Sequence, residues 1–137
     1  MHDANCIFCK IANGEIPSAT IYEDGDFRAF LDLNPATRGH ALIVPKEHYA
    51  NVLELDDELC GKAFLLAKKL SGKMMKALKC DGVNLVQNNG EAAGQTVFHF
   101  HLHIIPRYEN DGAGVTWKPG SISQEEMAEL AALLTKE

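Results

Sequence analysis

Apolar positions recur along the chain at more than one spacing, and each spacing predicts an element. Cys6 to Ala12 is a short apolar run that predicts one or two helical turns ending near Asn13-Gly14. Thr20-Ile21-Tyr22-Glu23 and Phe27 to Leu31 predict two strands, and Asp24-Gly25 is a hairpin turn signal between them. A loop from Asn34-Pro35 to Arg38-Gly39 leads to a third strand, His40-Ala41-Leu42-Ile43-Val44, which Pro45 stops. From Asp56 to about Leu78 the period changes. Leu59, Ala63, Leu66, Leu70 and Met74 fall mostly at three- and four-residue steps, the apolar stripe of a long helix. Asp56, Asp57 and Glu58 suit the positive end of its dipole, while Gly61 and Gly72 weaken its interior.

Gly82 to Val86 predicts a fourth strand, and Asn88 through Gly94 a loop rich in Asn, Gly and Ala. Thr96 to Ile105 predicts the fifth strand, where alternation is tightest. A strand sends alternate side chains to one face, so His99, His101 and His103 would share a face, about 6–7 Å between successive Cα atoms. Phe98, Phe100, Leu102 and Ile104 would point the other way, into apolar packing. After Pro106 the pattern is irregular through Gly120. Ser123-Gln124-Glu125-Glu126 then fits a capping box, and Met127, Leu130, Leu133 and Leu134 give a C-terminal helix one apolar face. With no repeat and no linker, residues 1–137 are expected to form one α+β domain. It would hold a five-stranded, mainly antiparallel sheet, one long packing helix and a C-terminal helix.

Composition narrows the function. Hydrophobic residues at 46 % and charged residues at 23 % are an ordinary globular mix. A net charge of −6 with no Lys/Arg-rich face disfavours binding to a nucleic-acid backbone, though a local pocket still suits a small anionic substrate. No stretch approaches a transmembrane helix, and Met1-His2-Asp3-Ala4-Asn5 lacks the basic and apolar regions of a signal peptide. A soluble, cytoplasmic protein with no membrane partner is expected. Four cysteines are too few for a disulfide scaffold at this length, and fit metal binding or free thiols.

The alternating histidines are the strongest chemical signal. A neutral imidazole is a good nucleophile and its phosphorylated form is labile, so it splits one phosphoryl-group transfer into two easier displacements. His101, the middle one, is the candidate nucleophile. His103 would hold phosphate oxygens or help the leaving group. Just upstream, Asn88 and Gln95 offer amide donors, Thr96 a hydroxyl and Gly94 an open backbone; ordinary turn chemistry is the alternative for each. His40, alone at the start of a strand, is either structural or supporting. Asp32, set between apolar residues in Phe30-Leu31-Asp32-Leu33, is either an acceptor for ribose hydroxyls or a cap. Cys6-Ile7-Phe8-Cys9 could supply two thiolates to zinc, with His48 and His99 as candidates for the other ligands. A redox pair and two packed thiols are the other readings of it. Cys60 and Cys80 lack near partners in the sequence.

Four segments, taken in order, resemble the histidine-triad family of nucleotide hydrolases and transferases. They are Cys6-Ile7-Phe8-Cys9-Lys10-Ile11, Ala29-Phe30-Leu31-Asp32-Leu33-Asn34-Pro35, Gly39-His40-Ala41-Leu42-Ile43-Val44-Pro45-Lys46-Glu47-His48, and the run from Gly94 to Arg107. The resemblance implies a homodimer and a purine nucleotide substrate. It implies attack of His101 on the α-phosphate, with a covalent nucleotidyl-histidine resolved by water. His103 and His40 match the supporting histidines, and Asp32 a ribose-binding acid with Leu33 beside it in the substrate set. Asn88, Gln95 and Thr96 match phosphate or leaving-group contacts. Cys6, Cys9, His48 and His99 match the zinc ligands of some members, a structural role. Two sets of cues point to different leaving groups. Ile104-Ile105-Pro106-Arg107 resembles the diadenosine-polyphosphate-cleaving branch, whereas the chain length, Gln95-Thr96 and Trp117-Lys118-Pro119-Gly120 resemble the phosphoramidase branch. Nucleoside phosphoramidates and related adenylated groups are the first expectation and diadenosine polyphosphates the second. A nucleotide-binding module with little activity, or a zinc-structured adaptor, are readings from other classes.

Overall fold

The computed structural model describes residues 2–136. Five strands, β1 (Thr20–Glu23), β2 (Phe27–Leu31), β3 (Ala41–Pro45), β4 (Gly82–Val86) and β5 (Leu102–Arg107), form one antiparallel sheet in the order β1-β2-β3-β5-β4. Three helices accompany it: α1 (Ile7–Ala12), α2 (Asp57–Leu78) and α3 (Gln124–Leu134). This is the expected α+β architecture. Among the described residues no helix is long and apolar enough to cross a membrane.

Local chemistry explains each element. The hairpin between β1 and β2 closes because the Asp24 carboxylate accepts the Asp26 and Phe27 amides, each at 2.8 Å. α2 starts where the Asp56 side chain accepts the Glu58 and Leu59 amides, and ends at Lys79 in the left-handed region (φ 53°). Its stripe, Ala63, Leu66, Ala67, Leu70 and Met74, is buried against Phe27, Ala29, Ala41, Ile43, Phe100, Leu102 and Ile104. The intervening residues Phe30, Leu42 and Val44 face the other side, where Phe8 and Ala12 of α1 cover them. The two-residue period of the sheet therefore separates two layers. With Leu102 and Ile104 committed to α2, His101 and His103 are turned toward the α1 side.

Several expectations are corrected. β5 does not run from Thr96; it begins at Leu102, and residues 97–99 form a bend. Extending the β3–β5 register would set Phe100 opposite Pro45, which has no N–H to donate. The Phe100 amide instead donates to the Tyr49 carbonyl at 2.6 Å. As a result Phe98 is not packed inward but is 50 % exposed, while Phe100, Leu102 and Ile104 are buried as expected. Asp56, expected as the first helical residue, is the cap of α2, and β3 begins at Ala41 rather than His40 and takes in Pro45 rather than stopping before it. α3 forms on its Ser123 cap, but Met127, Leu130, Leu133 and Leu134 are all exposed.

The segment between β2 and β3 is pinned to the far end of β5. The Thr37 hydroxyl donates to the Pro106 carbonyl, and the Tyr108 hydroxyl to the Arg38 carbonyl at 2.7 Å. Arg107 is tied beside them. Its guanidinium grips the Asp111 carboxylate at 2.8 and 2.9 Å and also donates to Asn84 and to the Ala113 carbonyl. Arg107 accordingly holds the Asp111 carboxyl well below the usual carboxylate range.

Gly39 sits inside this junction at φ +94°, and a Cβ there would lie 2.5 Å from Leu78 Cδ1 and 3.3 Å from Pro106 Cγ. Gly39→Ala is expected to cost about 1–3 kcal/mol through backbone strain and the displaced Leu78. A urea denaturation midpoint equal to wild type would contradict this reading.

Candidate active site and metal-binding cluster

The hydrogen-bond partners of the histidine rings determine where their protons sit. His101 Nδ1 lies 2.8 Å from the His99 carbonyl, which only accepts, so Nδ1 carries the proton and Nε2 keeps its lone pair. The Ala36 amide donates to His40 Nδ1 at 2.9 Å, so the proton of neutral His40 is on Nε2. That proton is donated to His103 Nδ1 at 2.9 Å, which leaves the His103 proton on Nε2. The rings are close, with centroids 5.0 Å apart for His101 and His103 and 5.1 Å for His40 and His103. The cluster thus presents one lone pair, on His101, and one N–H, on His103.

Burial keeps these rings neutral. It depresses the His101 and His40 pKa values below 6.5, against the pull of the Asp32 carboxylate. For His103, burial and then the neighbouring His101 and His40 push it down to about 4. Asp32 does two things. One carboxylate oxygen caps the turn by accepting the Asn34 amide at 2.8 Å, and the other lies 3.7 Å from His40 Nε2. Asp32, His40 and His103 are close enough to hold a metal ion by distance alone. Their hydrogen bonding opposes it: a metal on His40 Nε2 would force the ring proton to Nδ1, against the Ala36 amide.

The other expected site residues are placed less uniformly. Asn88 is half-buried beside Gly94, and an added Cβ on that glycine would lie 3.7 Å from its side-chain nitrogen. Gln95 does not offer its amide outward. It is 2 % exposed, donates to the Ala50 and Val97 carbonyls at 2.6 and 3.0 Å, and accepts the Gly90 amide at 2.8 Å. Its role here is to brace the loop, because a buried amide must satisfy its own donors first. Thr96 is exposed on a groove of about 480 Å³ that Cys6, His48 and Phe98 also line. Leu33 is 93 % exposed.

Cys6, Cys9, His48 and His99 form a second cluster, with ligand atoms all within 4.8 Å of one another. Cys6 Sγ is 3.3 Å from His99 Nδ1, and Cys9 Sγ is 3.4 Å from both His48 Nδ1 and His99 Nδ1. Tetrahedral zinc with ordinary Zn–S and Zn–N bonds separates sulfur and nitrogen ligands by about 3.5 Å, so the spacing fits. The sulfurs also receive backbone amides, Cys9 Sγ from Asp3 at 3.3 Å and Cys6 Sγ from Cys9 at 3.4 Å, as thiolates require. His99 Nε2–H donates to the Pro45 carbonyl at 2.8 Å, which aims the Nδ1 lone pair at the sulfurs. Without an ion, burial raises the Cys9 thiol pKa to about 11.

Phe8, between the two cysteines, was not singled out from the sequence. Its ring stands edge-on to His101 and His99, with centroids 5.0 and 6.1 Å away, and also to Phe30. It forms the apolar wall that desolvates the histidines. Only its position inside the Cys-X-X-Cys segment could have drawn attention to it.

Comparison with known proteins fits this geometry. The family model described as HIT domain matches residues 13–110. The adenosine 5'-monophosphoramidase hnt1 of Schizosaccharomyces pombe is 46 % identical over 127 residues, covering 92 % of each chain. The crystal structure of SMU.412c from Streptococcus mutans superposes with a TM-score of 0.91 at 41 % identity, covering 96 % of this chain and 84 % of that one. A zinc-bound histidine triad family protein from Mycobacterium smegmatis has a TM-score of 0.77 at 36 % identity, covering 97 % and 98 %.

Proposed function

The chain belongs to the histidine-triad (HIT) family of hydrolases, and we propose that it cleaves purine nucleoside phosphoramidates and related adenylated groups at the α-phosphate. The observation that carries this reading is the His101 ring: anchored through Nδ1–H on a backbone carbonyl, depressed in pKa, and left with a lone pair on Nε2. In the first step Nε2 forms a bond to phosphorus. The bond from phosphorus to the amine breaks, its electron pair leaves on nitrogen, and the amine takes a proton from solvent. The ring becomes a cationic phosphoimidazolium whose Nδ1–H still points at the His99 carbonyl, so the new positive charge meets an acceptor already in place. His103 Nε2–H donates to a phosphate oxygen, and His40 keeps it in that tautomer. Water then attacks phosphorus and loses a proton, and Nε2 recovers its electron pair. Asp32 would accept ribose hydroxyls, and Asn88 and Thr96 would contact phosphate or leaving group.

The engagement of Arg107 favours one of the two leaving groups. A polyphosphate leaving group carries several negative charges and gains from a free guanidinium. Arg107, the cation that ends the triad strand, is spent on Asp111, Asn84 and Ala113. A protonated amine needs no such partner. Phosphoramidates therefore stand ahead of diadenosine polyphosphates.

We also assign zinc to Cys6, Cys9, His48 and His99, on the spacing above and the zinc-bound relative. Zinc there would cross-link α1 to the 97–99 bend, a structural contribution. The single domain would work as a homodimer. β4 is a sheet edge with no Pro, Lys or bulge to blunt it, and Leu85 on it and Phe64 and Leu65 on α2 are exposed. Cysteines that form no disulfide among the described residues suit a cytoplasmic setting.

His101→Ala should lower kcat/KM for adenosine phosphoramidates by about ten-thousandfold. Wild-type turnover in that variant would end the nucleophile assignment, and binding without turnover in wild type would favour a nucleotide-binding module. Because the His101 pKa is lowered, its lone pair survives below the ordinary value of 6.5. The acid limb of the kcat/KM profile should be centred below pH 6.5; a limb centred at or above 6.5 would contradict this. Elemental analysis should find about one zinc per chain, lost in Cys6→Ser. Full occupancy in that variant would refute the ligand set.

A further inference from the structure

We propose that Thr37 and Tyr108 are positioning residues: they hold the loop between β2 and β3 so that the Ala36 amide locks the tautomers of His40 and His103. This rests on the hydrolase reading above, and reaches residues that no comparison or motif points to.

The loop has little packing of its own. Residues 33–36 are exposed, and Leu33 almost fully so. Its internal bonds tie its ends rather than Ala36: Asn34 N–H to the Asp32 carboxylate, Asp32 N–H to the His40 carbonyl at 2.9 Å, and His40 N–H to the Thr37 carbonyl at 3.2 Å. Yet the Ala36 amide must stay within 2.9 Å of His40 Nδ1. Two further ties, next to Ala36, come from outside the loop. The Thr37 hydroxyl is donated to Pro106, and the Tyr108 hydroxyl to the carbonyl of Arg38. The two contacts fall on adjacent residues, Thr37 and Arg38, between Ala36 and His40. Their far side is rigid, because Arg107 between Pro106 and Tyr108 is tied to Asp111, which also accepts the Tyr108 amide at 2.9 Å.

The chemical consequence is definite. If the Ala36 amide drifts away, the His40 proton is free to move to Nδ1. His40 Nε2 then becomes an acceptor, and His103 Nδ1 must carry the proton to keep the 2.9 Å bond. His103 Nε2 is left as a lone pair. A donor toward anionic phosphate is replaced by an acceptor, which repels it. No side chain that touches the nucleotide has changed.

The test compares wild type with Thr37→Val, Tyr108→Phe and the double variant. Long-range 1H–15N spectra of the histidine rings read the tautomers directly, without substrate. In wild type, His40 should show a bare Nδ1 and His103 a bare Nδ1. The double variant should show the other tautomer in both rings, and a kcat about tenfold lower with KM little changed. Thr37→Ser, which keeps the hydroxyl, should behave as wild type. Unchanged ring spectra in the double variant would overturn the proposal. So would shifted tautomers with wild-type kcat. Should wild type hydrolyse no nucleotide at all, the functional reading fails separately, and the spectra alone decide whether the clamp exists.

Discussion

The hydrogen bond from His101 Nδ1 to the His99 carbonyl is the constraint on which the site depends. A buried imidazole needs a partner for its N–H, and loss of that partner costs about 1–3 kcal/mol. Here the partner is a backbone carbonyl two residues back, available only because the chain leaves the sheet at that point. β3 has no further N–H to offer beyond Val44, since Pro45 follows, and the β4 pairing ends at His103. The bend at 97–99 is thus what releases a carbonyl for the ring. A longer, more regular β5 would be a better strand and a poorer site.

His99 ties this feature to the Cys/His cluster. Its ring uses Nδ1 toward Cys6 and Cys9 and Nε2 toward the Pro45 carbonyl, and its main chain serves His101. It is 0 % exposed, so each of these partners matters to stability as well as to aim. Pro45 takes part twice, once by lacking an amide and once by offering its carbonyl. The first histidine of the motif is therefore a structural bridge, and the other two form the ring cluster with His40.

Much of the fold was legible because its signals are local. The Leu66, Leu70, Met74 stripe needs only helical period, and Asp24-Gly25 needs only turn chemistry. β5 was misread because His-apolar alternation continues through residues that have no ladder partner. Period reports which face a side chain would take, not whether a neighbouring strand is there to pair. The site was legible as residue types and illegible as partners. Gln95 looked like a donor to substrate, but the carbonyls of Ala50 and Val97 claim it, and a sequence does not show where carbonyls lie. The same holds for Ala36, which acts through its amide alone, and for Arg107, whose charge is visible in the sequence while its engagement with Asp111 is not.

The electrostatics of the cluster follow from crowding. Three imidazoles packed within about 5 Å of their neighbours, with Phe8 edge-on to His101, cannot all be cationic in so desolvated a cluster. A proton on one ring lowers the affinity of its neighbour, as the depression of His103 by His101 and His40 shows. Asp32 is the carboxylate opposing this, and it raises all three. One of its oxygens is fixed by the Asn34 amide, so its charge is held at a set distance from His40. That distance is a compromise. A direct Asp32–His40 contact would draw a proton onto His40 Nδ1, where the Ala36 amide already points, and the donor–acceptor order of the whole chain would be lost. At 3.7 Å the carboxylate biases the cluster without charging it, and the rings stay neutral with one lone pair on His101 and one N–H on His103.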